Sequence, residues 1–276
     1  MDKKFKLALC QTMPLHDKEK SKEMAASYIK TAVGEGSEMV SLPEMWNCPY
    51  INSLFRKYSE PEDGESVQFM SDLARKHGIY LIGGSIPERE SGVSLEDSNI
   101  YNTSFVFDPK GNLIGKHRKI HLFDIDIKGK ITFMESATLS AGDTLTVIDT
   151  EFLKLGVALC YDVRFPKLFN KMADLGAKLM ILPAAFNTTT GPAHWEILMK
   201  ARALDNQVYF AANSSARDPE STYQTYGHSM VVNPWGEIIG ETDETLSIVY
   251  ADIDLDFVDS VREQIPISKQ KKPELY

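Results

Sequence analysis

The chain has 276 residues, of which 43% are apolar and 25% charged, and its 30 basic against 39 acidic side chains give a formal net charge of -9. That is the make-up of a globular protein long enough for one large α/β domain or two ordinary ones. The acidic balance speaks against a nucleic-acid-binding surface, and no apolar run approaches the roughly 18 residues of a membrane span, although a locally positive pocket for an anionic substrate stays open. Three cysteines, Cys10, Cys48 and Cys160, make no disulfide framework and no CxxC metal spacing. The opening apolar stretch is too short for a secretory signal, so a cytoplasmic setting with reduced thiols is expected.

In chain order, the first apolar run, Lys6–Cys10, reads as a buried strand. A helical pattern follows over Ser21–Val33, closed by Gly34, and then a strand over Met39–Leu42. Ser66–Lys76, closed by Gly78, predicts a second helix, and Tyr80–Gly83 a third strand. Val106–Gly115 reads as strand, Pro-Gly turn, strand. The long segment His121–Asp143 breaks the regular pattern and is expected to be a functional loop. The second half repeats the order: strand Leu155–Leu159, helix Pro166–Leu175, strand Leu179–Leu182, helix Ala193–Asn206, strand Val208–Ala212, hairpin Val231–Gly240. The tail Gln264–Tyr276 is irregular and basic, and is expected either to dock on a partner subunit or to stay mobile.

The two halves echo each other in wording as well as order. Glu38-Met-Val-Ser-Leu-Pro43 resembles Lys178-Leu-Met-Ile-Leu-Pro183, and the two hairpins share their Pro-x-Gly turns. The expectation is an α/β fold of two similar sheets within a single domain spanning residues 1–276, with 264–276 as its tail.

Three reactive side chains stand just past expected strands: Glu44 after Leu42-Pro43, Lys119 in the basic run Lys116–His121, and Cys160 after Leu159. Ligand sites in α/β folds gather at such strand ends. Taken singly, each has an ordinary reading: a core cysteine, a capping carboxylate, a surface lysine. Together they supply what thiol-based amide cleavage needs. A carboxylate takes the thiol proton and later delivers it to the leaving nitrogen. A fixed ammonium stabilises the oxyanion that attack creates.

These blocks, Leu42-Pro-Glu44, His117-Arg-Lys119-Ile-His and Cys160-Tyr-Asp162, resemble the three signatures of the nitrilase superfamily, in its order and spacing. The resemblance runs from Phe5 to about Asp254. It implies a four-layer α-β-β-α sandwich, pairing of chains through helical faces into a homodimer or higher oligomer, and chemistry without cofactor or metal. His121-Leu-Phe-Asp-Ile-Asp126, Gly129–Phe133, Asn187–Glu196 and Ile265-Pro-Ile-Ser-Lys-Gln look most like the omega-amidase branch. That branch hydrolyses the terminal amide of 2-oxoglutaramate and 2-oxosuccinamate. The implied roles are Glu44 as general base, Lys119 as oxyanion stabiliser and Cys160 as nucleophile. The Tyr161 backbone N–H would be the second oxyanion donor, and Glu135 the additional carboxylate that positions lysine and substrate. Lys128 and Met134 depart from the branch's familiar proline and glutamine.

For the substrate's far carboxylate the candidate is Arg164, four residues beyond Cys160; pairing with Asp162 or capping the helix at Pro166 is an equal reading. Asn187 and Thr190 offer amide and hydroxyl groups to a 2-oxo acid, or form only an ordered turn. Phe123 and Phe186 either wall the pocket or belong to the core. His117 and His121 have the i,i+4 spacing of a helical zinc pair but lack its glutamate. His194 opens an amphipathic helix and reads as structural or pocket-lining. Two alternatives stand: the same chemistry on deaminated glutathione, an N-carbamoyl amine or a nitrile, or a non-catalytic binding protein on this fold.

Overall fold

The structure, a computed structural model, describes residues 4–275. Its first half comprises β1 (Lys4–Gln11), α1 (Lys18–Gly34), β2 (Met39–Ser41), α2 (Asn52–Tyr58), α3 (Glu65–His77), β3 (Tyr80–Ile82), β4 (Ile86–Arg89), β5 (Ile100–Phe107) and β6 (Leu113–Arg118). A small hairpin, β7 (Asp124–Ile127) and β8 (Ile131–Met134), leads to the second half. There follow β9 (Thr146–Asp149), β10 (Lys154–Val157), α4 (Pro166–Asp174), β11 (Ala177–Ala184), α5 (Gly191–Asn206), β12 (Tyr209–Ser214), β13 (Met230–Val232) and β14 (Ile238–Glu241). The chain closes with β15 (Ser247–Asp254), α6 (Leu255–Gln264) and α7 (Ile267–Gln270).

The repeat read from the sequence is visible in the topology. One sheet runs β15-β1-β2-β3-β5, with β4 and β6 both paired to β5; the other runs β9-β10-β11-β12-β13-β14. In each, three parallel strands are flanked by antiparallel ones. β15, not anticipated from the sequence, takes beside β1 the place that β9 takes beside β10.

Period-two alternation sorts the side chains into layers. Leu7 and Leu9 of β1 point between the sheets, where they share a core with Leu155, Val157, Leu179 and Ile181. Ala8 and Cys10 point outward against Ala25 and Ile29 of α1 and Met70 and Leu73 of α3. On the far side, Met180, Leu182 and Phe210 pack against Phe169 and Met172 of α4 and Trp195 and Met199 of α5. These are the four layers α-β-β-α. Each large aliphatic side chain removed from water stabilises the stack by about 1.5–3 kcal/mol.

The helices start and stop where local chemistry dictates. Asp17 accepts the N–H groups of Glu19 and Lys20 at the start of α1. Gly78 ends α3 at φ +64°, a left-handed conformation that costs glycine little.

Two expectations need correction. The segment 121–143 is not irregular: β7 and β8 form a hairpin whose Ile125, Ile131 and Phe133 cover a small core with Phe123 and Leu139. Its short strands and charged turn hide the alternation. The tail begins anchored on its own chain. Gln207 Nε2 donates to Ile265 O at 2.7 Å, and Lys271 pairs with Asp174 at 2.6 Å. Tyr276 lies outside the described residues.

Candidate active site

All three reactive segments end at one edge of the sandwich. The loop after β2 is held by a close approach to the β3–β4 break. A Cβ on Gly84 (φ +57°) would stand 2.1 Å from Pro43 O, so this position requires glycine. Ser85 N donates to Pro43 O at 3.2 Å, and Ser85 Oγ accepts Met45 N at 2.9 Å. That clamp turns Glu44 into the interior, where it is fully buried. Lys119 follows β6 and is tied to β5 by its own N–H, which donates to Asn102 O at 2.8 Å.

Glu44, Lys119 and Glu135 form a buried ion cluster with one ammonium between two carboxylates. Lys119 Nζ donates to Glu44 Oε1 at 2.9 Å and to Glu135 Oε1 at 3.0 Å. Asn102 Nδ2 also donates to Glu44 Oε1, at 2.7 Å. Glu135 accepts the Phe123 N–H at 2.6 Å and the Tyr50 hydroxyl. With Oε1 so engaged, Glu44 Oε2 takes no hydrogen bond from these groups, and the neighbouring Cys160 thiol hydrogen-bonds the carboxylate. Burial, reinforced by the neighbouring Glu135, raises the Glu44 pKa above the ordinary 4.5 despite Lys119. Burial alone would discharge Lys119. The two carboxylates outweigh it and hold the ammonium charged well above 10.5. Such a cluster is costly to bury and is a weak source of stability, but it fixes charge in place.

Cys160 stands beside this cluster. It sits past β10, at the start of a 3-10 turn over Cys160–Arg164, with a left-handed φ of +41°. Positive φ in a non-glycine residue is strain that surrounding contacts must hold. Asp162 supplies those contacts. Its Oδ2 accepts Leu159 N at 3.0 Å and faces His117 Nε2 at 3.1 Å, while Oδ1 accepts His121 N at 2.9 Å and faces His121 Nδ1 at 2.7 Å. Burial works against its charge, yet the hydrogen bonds of His117 and His121 depress the Asp162 carboxyl far below 3.8. The two histidines weighed as a metal pair therefore converge on one carboxylate. Burial and the Glu44 charge push the Cys160 thiol well above 9, so the resting sulfur carries its proton. Tyr161 is the second residue of the turn, and its N–H has no carbonyl partner within it.

A narrow cleft of about 10 Å³ opens on the sulfur, lined by Cys160, Tyr161, Arg164, Phe186, Thr190 and Tyr223 among others. Phe123 also lines it, so both phenylalanines are wall and core at once. Arg164 does not pair with Asp162, which is fully engaged. Its Nη2 meets His194 Nδ1 at 3.2 Å. Burial and Arg164 lower the His194 pKa below 6.5, so near neutrality that ring is an uncharged acceptor and leaves the guanidinium charge uncompensated. Asn187 falls outside the lining of this cleft and opens on a neighbouring one with Lys130 and Gln224. Its Oδ1 accepts Thr189 N at 3.0 Å and Thr190 N at 2.9 Å. The turn reading fits Asn187 better than direct contact.

Sequence reasoning passed over Tyr50, Asn102, Tyr223 and the Asp162 clamp. Asn102 was visible only as part of an Asn-Thr-Ser triplet, although its place one strand before the Lys119 block was a usable signal. Tyr50 and Tyr223 stack at 4.6 Å between centroids but stand far apart in the chain.

The family model for carbon-nitrogen hydrolases matches residues 6–263, nearly the whole chain. The chain belongs to the carbon–nitrogen hydrolase family. Two relatives agree along nearly their full lengths. The omega-amidase NIT2 of Danio rerio is 50% identical over 273 residues, covering 99% of this chain and 96% of the relative. That of Homo sapiens is 48% identical over 272 residues, with the same shares. Among solved structures, Nit3 of Saccharomyces cerevisiae, a member of branch 10 of the nitrilase superfamily, superposes with a TM-score of 0.88 at 45% identity, covering 97% of this chain and 96% of that one. This carbon–nitrogen hydrolase is an amidase, and the reading as a non-catalytic binder is set aside.

Proposed function

We propose that the enzyme hydrolyses the terminal amide of short 2-oxo dicarboxylate monoamides, 2-oxoglutaramate and 2-oxosuccinamate, through a thioester on Cys160. The observation that carries this reading is the ion cluster beside the thiol, with the Arg164 charge at the same cleft. Glu44 takes the Cys160 proton as sulfur attacks the amide carbon. Lys119 Nζ and the Tyr161 N–H stabilise the oxyanion, and Glu135 holds Lys119 in place. Glu44 then gives its proton to the amide nitrogen, the C–N bond breaks and ammonia leaves. Water attacks the thioester with its proton passing to Glu44, and sulfur departs as the thiol on receiving that proton back.

Arg164 would hold the distal carboxylate, with Phe186 and Thr190 flanking the chain. The direct test is ammonia release from 2-oxoglutaramate, beside a panel of deaminated glutathione, N-carbamoyl amines and nitriles. Arg164→Ala should raise KM for 2-oxoglutaramate by about tenfold or more, while leaving a neutral short amide nearly unchanged. Equal loss on both would remove Arg164 from substrate binding.

The remaining expectations belong to the same reading. Ile197, 69% exposed, and Leu204 leave apolar side chains uncovered on α5, in line with a homodimer formed through the helical faces. No helix of the described residues is long and apolar enough to cross a membrane. The thiol chemistry suits a reducing compartment such as the cytoplasm.

A further inference from the structure

The cleft over Cys160 has a counterpart on the other side of the site. A second cleft, of about 30 Å³ and so roomy enough for about one water, is lined by exposed His16, Asp218, Ser221, Ala216 and Glu44 among others. The two clefts share only Ala185 and Tyr223 in their linings. Tyr223 is fixed as the partition: its hydroxyl donates to Ala185 O at 2.8 Å and its ring stacks on Tyr50. Cys160 therefore lines one cleft and Glu44 the other. Glu44 also carries a buried carboxylate oxygen outside the Lys119 and Asn102 hydrogen bonds, and the Cys160 thiol that hydrogen-bonds this carboxylate is lost as a donor once the sulfur is acylated. A buried unsatisfied oxygen beside a polar opening is a place where water is stabilised.

We propose that this second cleft is the route by which the deacylating water reaches Glu44, and that it admits only small neutral nucleophiles of the class of water, ammonia and hydroxylamine. The inference rests on the thioester mechanism proposed above. Once the acyl chain fills the narrow cleft over Cys160, that entrance is blocked to an incoming molecule. Attack must still be assisted by Glu44, which accepts the water proton as the C–O bond forms and returns one proton to the departing sulfur. A path on the Glu44 side supplies water beside its base without displacing the acyl group. Ammonia released in the first half-reaction leaves the same way, since it too departs from Glu44.

The test separates the two half-reactions without depending on amide specificity. Mono-p-nitrophenyl glutarate acylates the thiol with a chain that fills the narrow cleft, so the burst of p-nitrophenol reports acylation and the steady state reports deacylation. Ser221→Trp narrows the mouth and Ala216→Val narrows the throat; neither residue touches the reacting atoms. Both should keep the burst rate within about twofold and lower the steady-state rate about tenfold or more. Glutarylated Cys160 should then accumulate by mass spectrometry, and hydroxylamine should rescue less than in the wild type. Burst amplitude per chain and the melting temperature certify folding, and either variant alone suffices if the other misfolds. Equal slowing of both phases, or no change in either, overturns the proposal. Absence of turnover on 2-oxo dicarboxylate amides sinks only the substrate assignment, and absence of any burst sinks the thioester.

Discussion

Cys10 and Cys160 occur in almost the same words, Leu-Ala-Leu-Cys-Gln and Val-Ala-Leu-Cys-Tyr, at the head of the two halves of the molecule. Both are buried. Their surroundings differ in one respect that decides everything else. β1 continues through Cys10 to Gln11, so that sulfur is packed against α1 and α3 among apolar neighbours. β10 stops at Val157, and Cys160 opens a turn with positive φ beside a carboxylate and an ammonium. Where a strand ends, rather than the residues around the cysteine, separates a core thiol from the one proposed as nucleophile. The Glu44 and Ala184 pair says the same: each follows a Leu-Pro at the end of an equivalent strand, and only one half places a charge there.

The largest effect should come from exchanging the two sulfurs for methyl groups. Cys160→Ala should abolish turnover by about four orders of magnitude or more, measured as ammonia release. Cys10→Ala should leave kcat within a few-fold and lower stability by about 1 kcal/mol in a denaturant melt. Comparable activity in both variants would end the distinction.

Next come the charges that only the second cysteine sees. Glu44→Gln and Lys119→Met should each lower kcat by about 10²–10⁴-fold. Because the Glu44 pKa is raised, the base is lost at a higher pH than an ordinary carboxylate would be. The acid limb of kcat/KM should therefore lie above 4.5, falling as pH drops through it.

A smaller effect is expected at the clamp that bends the chain after Cys160. Asp162→Asn keeps the shape but removes the charge that His117 and His121 surround. Activity should fall about 10–100-fold, with KM less affected than kcat. The sign of the stability effect follows from linkage. The folded Asp162 carboxyl is depressed below 3.8, so its contribution is complete above the unfolded value and fades as pH falls toward the folded one. The stability gap between wild type and variant should shrink on acidification below about pH 4. A gap that widens there would contradict the assignment.

The mildest probe is alkylation. Burial pushes up all three thiols, but Cys160 is 4% exposed on a cleft with the Glu44 carboxylate beside it, whereas Cys10 and Cys48 are fully buried. Iodoacetamide should modify Cys160 first, and a bound dicarboxylate should slow it. Uniform slow labelling would favour an inert sulfur at 160.

Much of this was legible in the chain itself. Apolar runs such as Leu179–Leu182 lie between two apolar layers and show themselves without context, and the repeated Leu-Pro and Pro-x-Gly turns announce a doubled sheet. Glu44, Lys119 and Cys160 were readable because each follows a strand end. What surrounds them was not. Asn102 of β5 reaches Glu44, which follows β2, past the intervening β3; Tyr50 and Tyr223 meet over 173 positions of chain, and Asp162 binds histidines 41 and 45 residues earlier. Such contacts arise from tertiary closure and leave no local period. The hairpin β7–β8 escaped for another reason: its strands are too short, and too mixed in charge, to alternate clearly.

The antiparallel ladder between β1 and β15 joins Lys4 to Asp254 and Gln11 to Ser247 without interruption. During synthesis, β1 thus waits with one bare edge until residues 247–254 have left the ribosome. An emerging N-terminal half cannot finish its sheet and is exposed to pairing with neighbours on the same message. The fold behaves as a clasp that shuts last, so nascent chains cut short before residue 247 should be wards of chaperones rather than half-enzymes.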